Sequence, residues 1–149
     1  MKSIKFVKMH GLGNDFVIID KSENNFEIKN QEILKKISSR NFGIGCDQIL
    51  VIESNDYENA EVTIFNKDGS EAGACGNGVR CVASYLMNKK DTNQINIKTI
   101  SGSLDCWIEN KNCFVNMGKP LFEWTQIPLS KEVETQIIKI DQFEIFCLS

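Results

Sequence analysis

The chain is 149 residues long and carries 17 basic against 20 acidic residues, for a net charge of −3. That length suits one domain and is short for two, and with no basic cluster the chain offers no footprint to nucleic acid or to an anionic membrane. Apolar runs such as Phe16 to Ile19 and Ile49 to Ile52 fall far short of the roughly 20 residues of a membrane span. The N-terminal Met-Lys-Ser-Ile-Lys-Phe-Val lacks the apolar stretch of a signal peptide, so the expectation is a cytoplasmic chain with no membrane partner.

In chain order, Ile4 to His10 and Phe16 to Asp20 read as strands joined by the turn Gly11-Leu-Gly-Asn14. Asn30 is placed to cap a helix running to about Arg40, with Ile33, Leu34 and Ile37 at helical spacing. The glycine turn Phe42-Gly-Ile-Gly-Cys-Asp-Gln48 leads into the strand Ile49 to Ile52. Val62 and Ile64 alternate with Glu61 and Thr63 in a strand that ends at Lys67-Asp-Gly-Ser70. A second helix starts behind Cys75, because Val79, Val82, Ala83 and Leu86 fall at i, i+3, i+4 and i+7. Strands are expected over Ile95 to Ile100 and Leu104 to Ile108, as a hairpin about Ser101-Gly-Ser103, and over Phe114 to Met117. Gly118-Lys-Pro120 punctuates the chain. It marks the expected boundary between a first domain, residues 1–119, and a segment 120–149 holding two short strands around Asp141-Gln142.

The six cysteines include no Cys-x-x-Cys pair, which argues against a zinc site. Cys75 and Cys81 stand six residues apart on one expected helix, about 9 Å along its axis and too far to be bridged. Free thiols are the expectation, and His10 has no second ligand at metal spacing. Cys75 differs from the others by its place at the start of a helix. The N–H groups there are unpaired and carry the positive end of the helix dipole, so a thiolate is favoured and an anion can dock beside it. A buried cysteine capping a core helix fits the local sequence equally well.

Five motifs occur in register: His-Gly-Leu-Gly-Asn-Asp-Phe at 10–16, Gly-x-Gly-x-Asp-Gln at 43–48, Asn-x-Asp-Gly-Ser at 66–70, Cys-Gly-Asn-Gly-x-Arg-Cys at 75–81 and Val-Asn-Met-Gly-x-Pro at 115–120. Together they resemble diaminopimelate epimerase, the cofactor-independent amino-acid epimerase of bacterial lysine and cell-wall biosynthesis. The resemblance implies an α+β fold in which a curved, mixed, largely antiparallel sheet wraps around a central helix. It implies that Cys75 is one of two cysteines that move the α-proton between the faces of the substrate, LL- or meso-diaminopimelate. Gly76 and Asn77 would offer backbone N–H groups to the α-carboxylate, Asn14 and Gln48 would accept from the substrate ammonium, and Asn66 would read the distal end. No cofactor or metal is implied, and a homodimer is left open.

The chain departs from the family in one respect. Members are about twice as long and take the second cysteine from a second, similar half, for which this sequence shows no matching motif. The expectation is therefore a site that does not epimerise alone, with a second domain only begun by residues 120–149. Two further readings remain: a related cofactor-independent amino-acid racemase, and a non-catalytic remnant that binds amino-acid carboxylates.

Overall fold

A computed structural model describes residues 3–24, 28, 30–53 and 59–149, which fall into two compact units, Met1–Met117 and Gly118–Ser149. In the first unit, strands β1 (Val7–Gly11), β2 (Asn14–Asp20), β3 (Gln48–Ile52), β4 (Asn59–Asn66), β5 (Glu71–Ala72), β6 (Gln94–Thr99), β7 (Gly102–Glu109) and β8 (Asn112–Val115) form one sheet, with helices α1 (Gln31–Ser38) and α2 (Gly76–Lys90). The sheet runs β1-β2-β3-β4-β6-β7-β8, with β5 paired to β4. Two pairings, β2–β3 and β4–β6, are parallel and the others antiparallel. Helix α2 touches β1 and β2 at one edge and β7 and β8 at the other, so the sheet curls around it.

Side-chain alternation explains the curl. Along β2 and β3, Phe16, Ile18, Leu50 and Ile52 point to α2 and join Val62, Ile64, Val79, Val82, Leu86 and Ile97 in the main core. The intervening Val17, Ile19, Ile49 and Val51 point the other way, to a second core with Leu34 of α1 and Cys46. These strands are buried on both faces, which is why they read as unbroken apolar runs and not as alternating ones. Each fully buried Leu, Ile or Val contributes about 1.5–3 kcal/mol relative to exposure.

The helix ends follow capping chemistry. Asn30 Oδ1 accepts from Glu32 N–H at 2.9 Å and closes the first turn of α1. This helix stops at Ser38, two residues before the expected end at Arg40, because the N–H groups of Ile44, Gly45 and Cys46 fold back onto the carbonyls of Ile37 and Ser38. Helix α2 ends at Asp91 in the left-handed conformation, φ 57°, with Lys89 and Lys90 in its last turn where they oppose the dipole.

The hairpins also shift against the sequence reading. Asn110 and Lys111 both take positive φ, 50° and 67°, in a two-residue turn, so β8 begins at Asn112 and not at Phe114. Strand β1 starts at Val7, where pairing with Ile18 begins. The short β5 has no apolar alternation from which to be read.

In the second unit, strands β9 (Ile138–Ile140) and β10 (Phe143–Ile145) form the hairpin about Asp141 and Gln142. Leu121 and Ser149 exchange a pair of backbone hydrogen bonds of 2.8 and 3.0 Å, and the rings of Phe122 and Phe146 meet edge to face. Ile127 and Thr135 are buried, whereas Ile137, Ile140, Phe143, Phe146 and Leu148 are exposed. Among the described residues, no helix is long and apolar enough to cross a membrane.

Candidate active site

Cys75 is the N-cap of α2. Its backbone is extended, its carbonyl accepts from Val79 N–H at 2.8 Å, and its Sγ accepts from Gly78 N–H at 3.4 Å. The sulfur thus occupies the position usually held by a Ser or Asp oxygen. The N–H groups of Gly76 and Asn77, in the same first turn, have no carbonyl partner within the helix. Glycines let the sheet close on this turn. A Cβ on Gly78 would stand 3.2 Å from Leu50 Cδ2 and 3.4 Å from Cys75 Sγ, and one on Gly11 would stand 3.3 Å from Asn77 Cβ.

Register brings the carboxamides to the same end of the sheet. Phe16 pairs with Gln48, and Gln48 with Asn66. By strand periodicity Asn14, Gln48 and Asn66 therefore share the α2 face with Phe16, Leu50 and Ile64. The apolar face changes to carboxamides where α2 begins. Asn14 Oδ1 lies 3.9 Å from Cys75 Sγ, Gln48 Nε2 donates to Asn66 Oδ1 at 3.0 Å, and Asn66 Nδ2 donates to Ser70 Oγ at 3.1 Å.

Ion pairs hold this edge together. Asp47 Oδ2 accepts from Asn14 Nδ2 at 3.0 Å and from Asp15 N–H at 3.1 Å, while Lys67 and Arg40 approach its other oxygen at 2.9 and 3.0 Å. Arg40 also grips Asp15 with two bonds of 3.0 and 2.6 Å, and Lys8 stands 2.8 Å from the same carboxylate. The hydrogen bond from Lys67, then that from Asn14, hold the Asp47 carboxyl well below the usual carboxylate range. An ionised Asp47 can only accept, so Asn14 turns its nitrogen to Asp47 and its oxygen to Cys75.

The other thiols of this unit are placed differently. Burial pushes Cys81 up to about 11 and Cys106 up to about 12, and it raises Cys46 and Cys113 as well. The sulfurs of Cys46, Cys106 and Cys113 lie 3.7, 3.6 and 3.4 Å from Ser38 Oγ, Leu104 O and Arg80 O respectively.

The structure thus brings Cys75, Gly76, Asn77 and Asn14 together at the start of α2, with Gln48 and Asn66 joined to each other at the same end of the sheet. Sequence reasoning passed over Asp47, Asp68 and Ser70, although each lies inside a motif that supplied a candidate. The available signal was the chemistry of the two aspartates: a carboxylate, which can only accept, close in sequence to a carboxamide, which can turn either way.

A curled mixed sheet around one helix is also the fold of a predicted epimerase from Pseudomonas aeruginosa, matched with a TM-score of 0.60 over 81% of this chain and 45% of that one. At 12% identity that likeness concerns the fold alone. The profile of the family described as Diaminopimelate epimerase matches residues 6–123. The chain is 47% identical over 139 residues to the diaminopimelate epimerase of Pelagibacter ubique, covering 93% of this chain and 50% of the relative. It is 43% identical over 141 residues to that of a Wolbachia species, covering 93% and 52%. The chain therefore belongs to the diaminopimelate epimerase family, and it spans about half the length of the curated relatives it matches.

Proposed function

We propose that this chain supplies the Cys75 half of a diaminopimelate epimerase site, a cofactor-independent isomerase that interconverts LL- and meso-diaminopimelate. The observation that carries the reading is the Cys75 sulfur at the first turn of α2, 3.4 Å from Gly78 N and 3.9 Å from Asn14 Oδ1. Cys75 as thiolate takes the α-proton and becomes the thiol, and the electron pair left on the α-carbon spreads into the α-carboxylate. The N–H groups of Gly76 and Asn77 suit that carboxylate as its charge grows. Asn14 and Gln48 accept from the ammonium without adding a charge.

Inversion needs a proton delivered to the opposite face. None of Cys46, Cys81, Cys106 or Cys113 is assigned that role: Cys81 lies within α2, Cys106 and Cys113 on β7 and β8, and Cys46 in the second core, so none stands at a helix start as Cys75 does. The reading is tested by mass spectrometry of LL- and meso-diaminopimelate incubated with the chain in D₂O. Deuterium entering at one α-carbon without inversion, and not entering with Cys75→Ala, is the expected result. Exchange that survives Cys75→Ala, or a wild-type chain with none above the solvent background, contradicts it.

A further inference from the structure

Hydrogen-bond polarity passes along a row of side chains, because each member can accept only what its neighbour donates. Asp68 starts such a row. Hydrogen bonds from Ser70 hold its carboxyl below the ordinary value, so it is ionised and has no proton to give. Its Oδ1 lies 2.6 Å from Ser70 Oγ, which fixes the Ser70 hydroxyl proton on Asp68. Ser70 Oγ then has only lone pairs for its other neighbour, and Asn66 must turn Nδ2 toward it, at 3.1 Å. Asn66 Oδ1 is left as an acceptor, and Gln48 meets it with Nε2 at 3.0 Å. The last atom of the row is Gln48 Oε1, which is buried and has no partner among the described residues. A buried acceptor left unpaired is costly, so its orientation requires a cause and invites a donor.

We propose that Asp68 is a positioning residue for the Gln48 carboxamide: through Ser70 and Asn66 it turns Nε2 toward Asn66 and leaves Oε1 to accept from a ligand. Reversing the row would present an NH₂ group instead and would repel a cation. The group this selects is a hydrogen-bond donor, and an ammonium is one. Its identification with the substrate ammonium rests on the function proposed above, but the orientation itself does not. Asp47 acts on Asn14 by the same logic through one bond. The two carboxylates set the polarity of the carboxamides, Asp47 directly and Asp68 through Ser70 and Asn66.

Side-chain amide exchange in the ¹⁵N-labelled chain, without ligand, tests the orientation. In the wild type the Gln48 Nε2 proton bonded to Asn66 is expected to exchange about tenfold more slowly than that of a free glutamine. Asp68→Asn lets the turn donate to Ser70 and makes the reversed row available, and Ser70→Ala cuts the row. Both are expected to remove that protection, whereas Ser70→Thr, which keeps the hydroxyl, retains it. Unchanged backbone spectra distant from the turn show that the variants are folded, and Asp68→Asn, at an exposed turn position, decides the matter if Ser70→Ala does not fold. A Gln48 amide that exchanges freely in the wild type overturns the proposal, as does protection unaltered by Asp68→Asn. Binding of meso-diaminopimelate weakened about tenfold in Asp68→Asn joins the row to function. If the exchange changes occur and the wild type does not bind diaminopimelate, the functional reading fails and the row stands.

Discussion

Asp20 shows how one side chain ties the sheet to α2. Its Oδ1 accepts from Ser22 N–H and Oγ–H at 2.9 and 2.6 Å, and its Oδ2 from Lys89 Nζ of α2 at 3.0 Å. Burial works against the Asp20 charge, but the bonds from Ser22 and Lys89 outweigh it and hold the carboxyl below its ordinary 3.8. A carboxyl lowered by folding stabilises the native state above its unfolded value and loses that contribution as pH falls through the folded one. Asp20→Asn is expected to cost about 2 kcal/mol at pH 7. It should also flatten the loss of stability that the wild type shows from about pH 4 downward. Urea unfolding at a series of pH values checks this; parallel curves for the two proteins would show that the Asp20 carboxylate contributes nothing to the acid dependence of stability.

At the scale of elements, the loop after α1 depends on a glycine for space and not for an unusual φ. A Cβ on Gly43 would lie 1.9 Å from the Lys36 carbonyl oxygen. That loop also satisfies the last carbonyls of α1 and delivers Cys46 and Asp47 to β3. Gly43→Ala is expected to destabilise by roughly 2 kcal/mol or more, and Asn30→Ala, which removes only the cap, by about 1 kcal/mol. Thermal unfolding ranks the two, and an order reversed from this would mean that the loop yields to the methyl group. The elements themselves were legible wherever their signal is local. Asn30 as a cap, the i, i+3, i+4 pattern of α2 and the Ser101-Gly102 turn can each be read within a few residues. Strand order could not be read that way, since the parallel pairing of β2 with β3 joins residues 32 positions apart, as in Phe16 with Gln48.

The candidate site follows the same division. Cys75 could be proposed from its place behind a glycine-rich approach, and Asn14, Gln48, Asn66, Gly76 and Asn77 from motifs in register. The links from Asp47 to Asn14 and from Asp68 to Gln48 depend on which way an amide is turned, and that is set across strands and not along the chain. Lys8, Arg40 and Lys67 converge on Asp15 and Asp47 from three separate segments, so no spacing in the sequence reveals them.

For the whole molecule, the two units differ in how their apolar side chains are covered. Helix α2 is enclosed by the sheet, with Val79, Val82, Ala83 and Leu86 fully buried, whereas Phe143 and Phe146 of the second unit are more than half exposed. Amide exchange is expected to be slowest in α2 and markedly faster through Gly118–Ser149, or else that unit self-associates through its exposed side chains. A monomer in which both exchange at one rate would show the second unit to be as well buried as the first.

If the start of α2 makes Cys75 the proton-carrying thiol, that shows first in its reactivity toward an alkylating agent. Iodoacetamide labelling of the folded chain near neutral pH, followed by peptide mapping at successive times, ranks all six cysteines. Cys75 is expected to be alkylated first, and meso-diaminopimelate to slow its alkylation and no other. Faster labelling of Cys46, Cys81, Cys106, Cys113 or Cys147 in the folded chain would contradict it.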